Sequence, residues 1–341
     1  MEKLRYCAAP PRIMPMLPAD IPAERRRAIV VGRAMWANGT KLRYAFLDGG
    51  RDEQKAVVRE SFAEWKEIGI GLDFAEVSSP AEAEVRIGFE QGDGSWSYLG
   101  RDVLQIGQSE RTMNFGWDLT TPHGRATARH EIGHTLGMPH EHQNPNAGIV
   151  WDEEAVYTFL GGPPNNWPRE KTFHNVLRKL DPAEVKGSDW DPESVMEYAF
   201  PSGLVITPEE YKKNGIRPPG TISKIDMEQV LIWYPGLEAQ LPRLTPFQST
   251  PLSLRPSEQF NAEIVPDASR EYSIGTFGSA DMVLVLFEED KGELRFLAGD
   301  DDSGQARNAL IKVKLFEGRR YVVRARMYYS WASGSSAVMY W

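Results

Sequence analysis

Cysteine is almost absent: Cys7 is the single one in 341 residues, so no disulfide can close within the chain and the fold has to be held by its cores. Long apolar runs are missing too. No stretch reaches the roughly eighteen residues that a membrane helix needs. The segment from Met1 to Asp20, broken by Pro10, Pro11, Pro15 and Pro18, lacks the unbroken apolar region of a secretory signal. Basic residues are outnumbered, with 39 Lys and Arg against 48 Asp and Glu. That balance removes the cationic surface that nucleic acid or an anionic membrane would require, so neither is expected as a partner. No internal repeat or low-complexity tract is present. What remains, 41% hydrophobic and 26% charged, is an ordinary globular composition in a chain long enough for two cores.

Against those absences stands one dense motif. His130-Glu131-Ile132-Gly133-His134-Thr135-Leu136-Gly137-Met138-Pro139-His140 has the H-E-x-x-H-x-x-G-x-x-H spacing of a catalytic zinc site. Four of the six histidines fall between 130 and 142; the outlying His123 and His174 are read as surface or core residues. On a helix, residues i and i+4 share a face, so His130 and His134 can both reach an ion about 2 Å away. Gly137 is where that helix should stop, Pro139 forbids its continuation, and the returning chain delivers His140. Three protein ligands leave a position open for water, which is the catalytic rather than the structural pattern. Glu131, beside a ligand but directed away from it, suits a general base acting on zinc-bound water.

A second signal lies downstream, where Ser194-Val195-Met196-Glu197-Tyr198 has the form S-x-M-x-Y. With the zinc motif it resembles the metzincins, whose zinc helix is followed by a Met-turn, and within that clan the astacin family. Gly94-Ser95-Trp96-Ser97-Tyr98-Leu99-Gly100-Arg101 is similar to the astacin G-C-W-S-Y-V-G-R segment. His140-Glu141 matches the H-E that follows in astacins, and Ser223-Lys224-Ile225-Asp226-Met227 resembles the start of their last helix. The resemblance implies that Met196 forms an apolar floor under the zinc and that Tyr198 is a switchable extra ligand that stabilises the transition state. It also implies that Glu141 pairs with a new amino terminus made by trimming. Two positions depart from the pattern: Glu197 replaces the histidine of S-x-M-H-Y, and Ser95 stands where astacins place a cysteine. A divergent relative of bacterial type is expected.

Period-two and helical patterning predict a strand over Lys41 to Leu47 and a helix over Arg51 to Ile68 with Val57, Val58, Phe62 and Trp65 buried. Strands are expected over Leu72 to Val77, Glu84 to Phe89 and Arg111 to Trp117, and a closing helix over Lys224 to Tyr234. Thr121 is the expected cap of the zinc helix, with Pro122 in its first turn. By the metzincin resemblance, Arg111 to Trp117 is an edge strand that holds an extended protein or peptide substrate through backbone pairing. The fold class is α+β and metzincin-like, with a twisted mixed sheet, zinc helix and Met-turn, followed by an all-β sandwich. The expected divisions are a pro-like segment over 1–34, a zinc peptidase domain over 35–236, a Pro-rich linker over 237–256 and the sandwich over 257–341.

In the sandwich, short β-type runs are expected over Tyr272 to Thr276, Met282 to Phe287, Ala309 to Leu315 and Tyr321 to Ala325. The segments Gly278-Ser279-Ala280-Asp281, Asp300-Asp301-Asp302-Ser303-Gly304 and Gly318-Arg319-Arg320-Tyr321-Val322-Val323 resemble the bacterial pre-peptidase C-terminal domain. Asp281, Asp300, Asp301 and Asp302 are a candidate calcium site, weighed against a solvated turn. Tyr328, Tyr329, Trp331, Tyr340 and Trp341 are either packing or a face for protein or glycan. At the other end, Cys7 is a candidate zinc ligand that would exclude water from the open position, in the manner of the matrix metalloproteinase cysteine switch, or an incidental thiol. The expectation is a monomeric zinc metalloendopeptidase, secreted from a bacterium or else retained in the cytoplasm, and held latent by Cys7 if that thiol is the zinc ligand. The alternative is a silent zinc scaffold whose sandwich does the binding.

Overall fold

The structure is a computed structural model that describes residues 4–11, 34–47, 49–180, 189–237, 241–290 and 293–341. Most of the expected 1–34 segment therefore lies outside the described residues. The chain forms two compact units. One consists of Met1–Trp36, Leu42–Gly69 and Asp73–Val230, and the other of Leu231–Trp341 with Ala37–Lys41 and Ile70–Leu72.

A five-stranded mixed sheet organises the first unit. Its strands are β1 (Lys41–Phe46), β2 (Asp73–Glu76), β3 (Val85–Gly88), β4 (Trp96–Ser97) and β5 (Met113–Asn114), in the order β2-β1-β3-β5-β4. The pairs β1–β3 and β3–β5 are parallel, and β4 lies antiparallel to β5 with Trp96 opposite Asn114. The expected edge strand is therefore displaced. The Arg111 to Trp117 region supplies an interior strand paired on both sides, and the edge is β4. A two-residue strand carries no alternation, which is why the sequence pattern does not reveal it.

Helix α1 (Asp52–Glu67) buries Val57, Val58, Phe62 and Trp65. The Phe62 ring stacks on Tyr44 of β1 at 4.4 Å, and Trp65 Nε1 donates to Arg129 O at 3.1 Å, joining α1 to α2 (Pro122–Thr135). Helix α2 starts as expected, with Thr121 Oγ1 accepting from Gly124 N at 3.0 Å and Pro122 in the first turn. It ends in paired return bonds: Gly137 N donates to His134 O at 2.9 Å and Met138 N to Gly133 O at 3.0 Å. Gly137, at φ +98°, makes that left-handed stop without a Cβ penalty, and the stop turns the chain so that His140 comes back under the helix.

Beyond the zinc motif, α3 (Glu153–Gly161) is capped by Asp152, whose carboxylate accepts from Ala155 N at 3.1 Å. Strands β6 (Val150–Trp151) and β7 (Val205–Thr207) pair antiparallel. An apolar cluster that includes Trp151, Val156, Leu160, Trp167 and Phe200 fills this part of the unit. Helix α4 (Lys224–Trp233) buries Asp226 and Val230.

The second unit holds two four-stranded antiparallel sheets. Strands β8 (Thr250–Leu254), β10 (Arg270–Gly278), β13 (Leu310–Leu315) and β15 (Gly334–Tyr340) run in the order β13-β10-β15-β8. Strands β9 (Gln259–Ile264), β11 (Met282–Asp290), β12 (Glu293–Asp300) and β14 (Tyr321–Met327) run as β12-β11-β14-β9. Alternate residues of β11, Met282, Leu284 and Leu286, are fully buried in a core shared by strands of both sheets. Strand β8 falls inside the stretch expected as a linker. It is an edge strand, where Pro251 removes no interior ladder bond, so a proline-rich composition hides a strand.

The calcium site expected from Asp281, Asp300, Asp301 and Asp302 finds no support in the geometry. Asp300 organises a turn instead, accepting from Ser303 N at 3.0 Å, Ser303 Oγ at 2.5 Å and Leu310 N at 2.7 Å. Asp281 faces Arg307 at 3.9 Å. Of the aromatics near the carboxyl end, Tyr340 is buried in the core and Trp331 is exposed. No helix among the described residues is long and apolar enough to cross a membrane.

Candidate metal centre

Three imidazoles converge where the motif predicts. His130 Nδ1 lies 2.8 Å from Val195 O, and His134 Nδ1 lies 2.7 Å from Met138 O. A carbonyl only accepts, so both Nδ1 atoms carry the proton and both Nε2 atoms present lone pairs. His140 Nδ1 faces Gln143 Oε1 at 3.3 Å. Burial holds all three rings well below the usual imidazole range, His134 at about 4, so they are neutral, the form that ligates.

These nitrogens fit a metal better than they fit one another. His134 Nε2 and His140 Nε2 are 3.1 Å apart, close to the edge of roughly 3.3 Å expected for two ligands of a tetrahedral zinc. His130 Nε2 is buried with no hydrogen-bond partner, a costly state for a polar atom unless an ion takes it up. Cys7 Sγ joins them: the ligand atoms of Cys7, His130, His134 and His140 all lie within 4.8 Å of one another. Among the described residues this is the group at metal-ligand spacing, and the aspartates of the second unit are not part of it.

Glu131 stands beside the cluster, fully buried. Its Oε2 lies 3.5 Å from Cys7 Sγ and its Oε1 has no hydrogen-bond partner; burial pushes the carboxyl up to about 8. Below the helix, Met196 is fully buried, and any side chain at Gly133 would run into its sulfur. Glycine at that helical position is thus set by the Met-turn. The turn is held from α4 by Asp226, which accepts from Ser194 Oγ at 2.7 Å, Val195 N at 2.8 Å and Ser223 N at 2.9 Å. Tyr198, from the same turn, donates its hydroxyl to Cys7 O at 2.7 Å and lies 2.8 Å from His140 Nε2.

The two departures from the family pattern have local partners. Glu197 accepts from Trp190 Nε1 and from Tyr198 N, each at 2.8 Å, and lies 3.4 Å from His142 Nδ1. Ser95 Oγ accepts from Gly116 N at 3.1 Å, and Ser95 O accepts from Ala8 N. Glu141 is mostly buried, and burial pushes it up to about 7. It accepts from Asn144 Nδ2 at 3.2 Å and Asp191 N at 3.1 Å.

Several residues of the site carry no motif. His142 stacks on His140 at 5.3 Å and places Nε2 2.9 Å from Asn175 O. His123, outside the cluster, stacks on Trp117 at 5.7 Å and lines the cleft. The sequence does not single out Tyr6, and it marks Asn165 only as part of the run Gly161-Gly162-Pro163-Pro164-Asn165-Asn166-Trp167, whose composition suggests a wall of the cleft; together they seat the Leu4–Ala9 segment. Asn165 accepts from Tyr6 N at 3.2 Å and donates to Leu4 O at 3.0 Å. The signal that could have found them is weak: an aromatic one residue before a lone cysteine.

Comparison with known proteins agrees with this geometry. The family model Astacin, a peptidase family, matches residues 29–204. A serralysin of Photorhabdus luminescens is 29% identical over 153 residues, which is 35% of this chain and 31% of that protein. Zinc metalloproteinase nas-8 of Caenorhabditis elegans is 27% identical over 186 residues, 53% of this chain and 40% of that protein. The chain thus spans 31% and 32% of the length of the first curated relatives it matches. The structure of myroilysin is 32% identical with a TM-score of 0.55, covering 60% of this chain and 98% of that one.

Proposed function

The chain belongs to the astacin family of peptidases, and from that premise we propose that it is a zinc metalloendopeptidase held latent by its own Cys7. The observation that carries the reading is the meeting of three neutral imidazoles around one point with the Glu131 carboxylate beside it. His130, His134 and His140 would hold the zinc, which when bound polarises a carbonyl and makes water acidic enough to attack it near neutral pH.

The chain's own groups carry the remaining steps. Glu131 takes a proton from the attacking water, whose oxygen bonds to the scissile carbonyl carbon. As the C–N bond breaks, Glu131 returns that proton to the leaving amine. The Tyr198 hydroxyl donates to the oxyanion once the Cys7 carbonyl no longer occupies it. The role of Met196 is packing beneath the ligands.

Support for latency comes from what the Cys7 residue touches. Its sulfur lies 3.5 Å from both His134 Nε2 and Glu131 Oε2, and its carbonyl accepts the Tyr198 hydroxyl. One residue therefore occupies the ligand position, the base and the oxyanion donor together. Casein cleavage by the zinc-loaded full chain and by Cys7→Ala, each with and without a chelator and with Glu131→Ala in parallel, tests both parts. Chelator-sensitive, Glu131-dependent cleavage that rises in Cys7→Ala is expected. Cleavage by neither protein would favour a silent scaffold. The proposed setting, secretion from a bacterium, rests on the family resemblance and is tested by immunoblotting medium against lysate of a culture producing the full chain.

A further inference from the structure

The amino-terminal segment does more than deliver a thiol. Tyr6, one residue before Cys7, is almost wholly buried, with its ring against four other aromatic rings. Phe200 lies stacked at 5.8 Å, Tyr198 at 5.2 Å, Phe159 edge-on at 6.1 Å and Trp167 edge-on at 6.3 Å. The pocket is not purely apolar at its end, where the Tyr6 hydroxyl donates to Ala199 O at 2.7 Å. A side chain lacking that hydroxyl would leave a carbonyl facing the pocket without its partner.

The backbone is gripped as well. Asn165 accepts from Tyr6 N and donates to Leu4 O. The carbonyl of residue i and the N–H of residue i+2 point the same way in an extended chain, and these are the two groups that a neighbouring strand would pair. The Asn165 carboxamide thus acts as a peptide group in a strand, reading backbone and not sequence. On the other side of Cys7, Ala8 N donates to Ser95 O, next to edge strand β4, at 3.1 Å. The segment from Leu4 to Ala9 thus lies in the cleft with its backbone hydrogen-bonded on both sides of Cys7.

We propose that the aromatic pocket filled by Tyr6 is the side-chain subsite beside the scissile bond, that it selects tyrosine and other bulky aromatic residues in an extended protein substrate, and that Asn165 positions the backbone there. The proposal rests on the peptidase reading above. It follows from the placement of Cys7 at the metal cluster, which puts the neighbouring residue one position from the bond to be cut. Burying a large ring against four aromatic walls favours aromatic over small side chains by at least about ten-fold. The Ala199 carbonyl adds a preference of about three- to ten-fold for tyrosine over phenylalanine.

Two measurements test it on the full chain. The first needs no catalysis: the rate at which a maleimide labels Cys7 reports release of the segment from the cleft. Tyr6→Ala should raise that rate at least about ten-fold, Tyr6→Phe by less, and Asn165→Ala should raise it with Tyr6 intact. Equal rates for Tyr6, Tyr6→Phe and Tyr6→Ala would overturn the selectivity of the pocket. The second is cleavage-site profiling of a proteome-derived peptide library by the chain carrying Tyr6→Ala and Cys7→Ala, in which both anchors are gone. Aromatic residues, tyrosine first, should be enriched about ten-fold at one of the two positions flanking the bond. Chelator-sensitive casein cleavage without that enrichment would sink the subsite while leaving the peptidase reading intact. Absence of all cleavage would count against the peptidase, and the labelling series would still decide the pocket.

Discussion

Around the zinc helix the chain buries His130, Glu131, His134, His140, His142, Glu197 and Asp226, whereas between the sheets of the second unit it buries Leu252, Ile274, Leu284, Val323 and their like. Among the buried polar groups of the second unit, Thr276 and Asn308 are partnered with each other at 3.2 Å, and the exception is Arg324, buried over the Phe287 ring at 4.4 Å with its Nε and Nη1 unpartnered. In the first unit the outer atoms of the buried groups are partnered too, to Val195 O, Met138 O and Gln143. Their inner atoms are aimed at one another. Burial of that kind is costly unless something meets those atoms. A fold tolerates a whole cluster of such groups where chemistry is carried out, whereas the core between the sheets of the sandwich is built from apolar side chains and held mainly by their buried area.

The contrast is sharpened most by Glu131→Gln, which should lower casein cleavage by about a thousand-fold or more with zinc content by metal analysis unchanged. His134→Ala should instead lose the zinc as well as the activity. Loss of zinc in both variants would make Glu131 a structural residue. Next in size is Leu284→Ala in the sandwich, expected to cost about 2–5 kcal/mol in urea unfolding while the metal content stays at one zinc per chain. Asp226→Ala removes the acceptor of three hydrogen bonds. It should cost about 2–3 kcal/mol and weaken zinc binding by about ten- to a hundred-fold, tying stability to the metal as no sandwich variant does.

Smaller effects probe what covers the site and what the sandwich lacks. Cys7→Ala should raise the basal rate about ten-fold, since the thiolate is then no longer a competing ligand. Asp302→Asn should change thermal stability by no more than about 0.5 kcal/mol, with or without added calcium. A calcium-dependent rise in stability that this substitution removes would restore the site that the geometry disfavours.

How far each region was legible follows from the same contrast. The zinc helix could be read to its ends because capping, termination and ligand spacing are local: Thr121, Gly137 and the i, i+4 pair His130 and His134 each act within a turn or two. Helix α1 and strands β10, β11, β13 and β14 were legible because their burial follows the period of the element. Strand β4 was not, being two residues long. Strand β8 was masked by Pro251, and β12 and β15 carry too little alternation; β9 does alternate, with Phe260, Ala262 and Ile264 toward the core, but over six residues only. Tyr6 and Asn165 could not be found by any periodicity, because their partners lie more than 150 residues away in the chain. The Glu197 carboxylate, a departure from the family pattern, gains a meaning only with Trp190 and His142 beside it.

The proposed latent state brings Cys7 and the three imidazoles together on one zinc ion. X-ray absorption at the zinc edge, on the full chain as purified, tests it directly. A four-coordinate shell is expected, with one sulfur at about 2.3 Å and three nitrogens at about 2.0 Å, the sulfur being lost in Cys7→Ala. A zinc shell of nitrogen and oxygen alone in the unaltered chain, or no bound zinc, would contradict it.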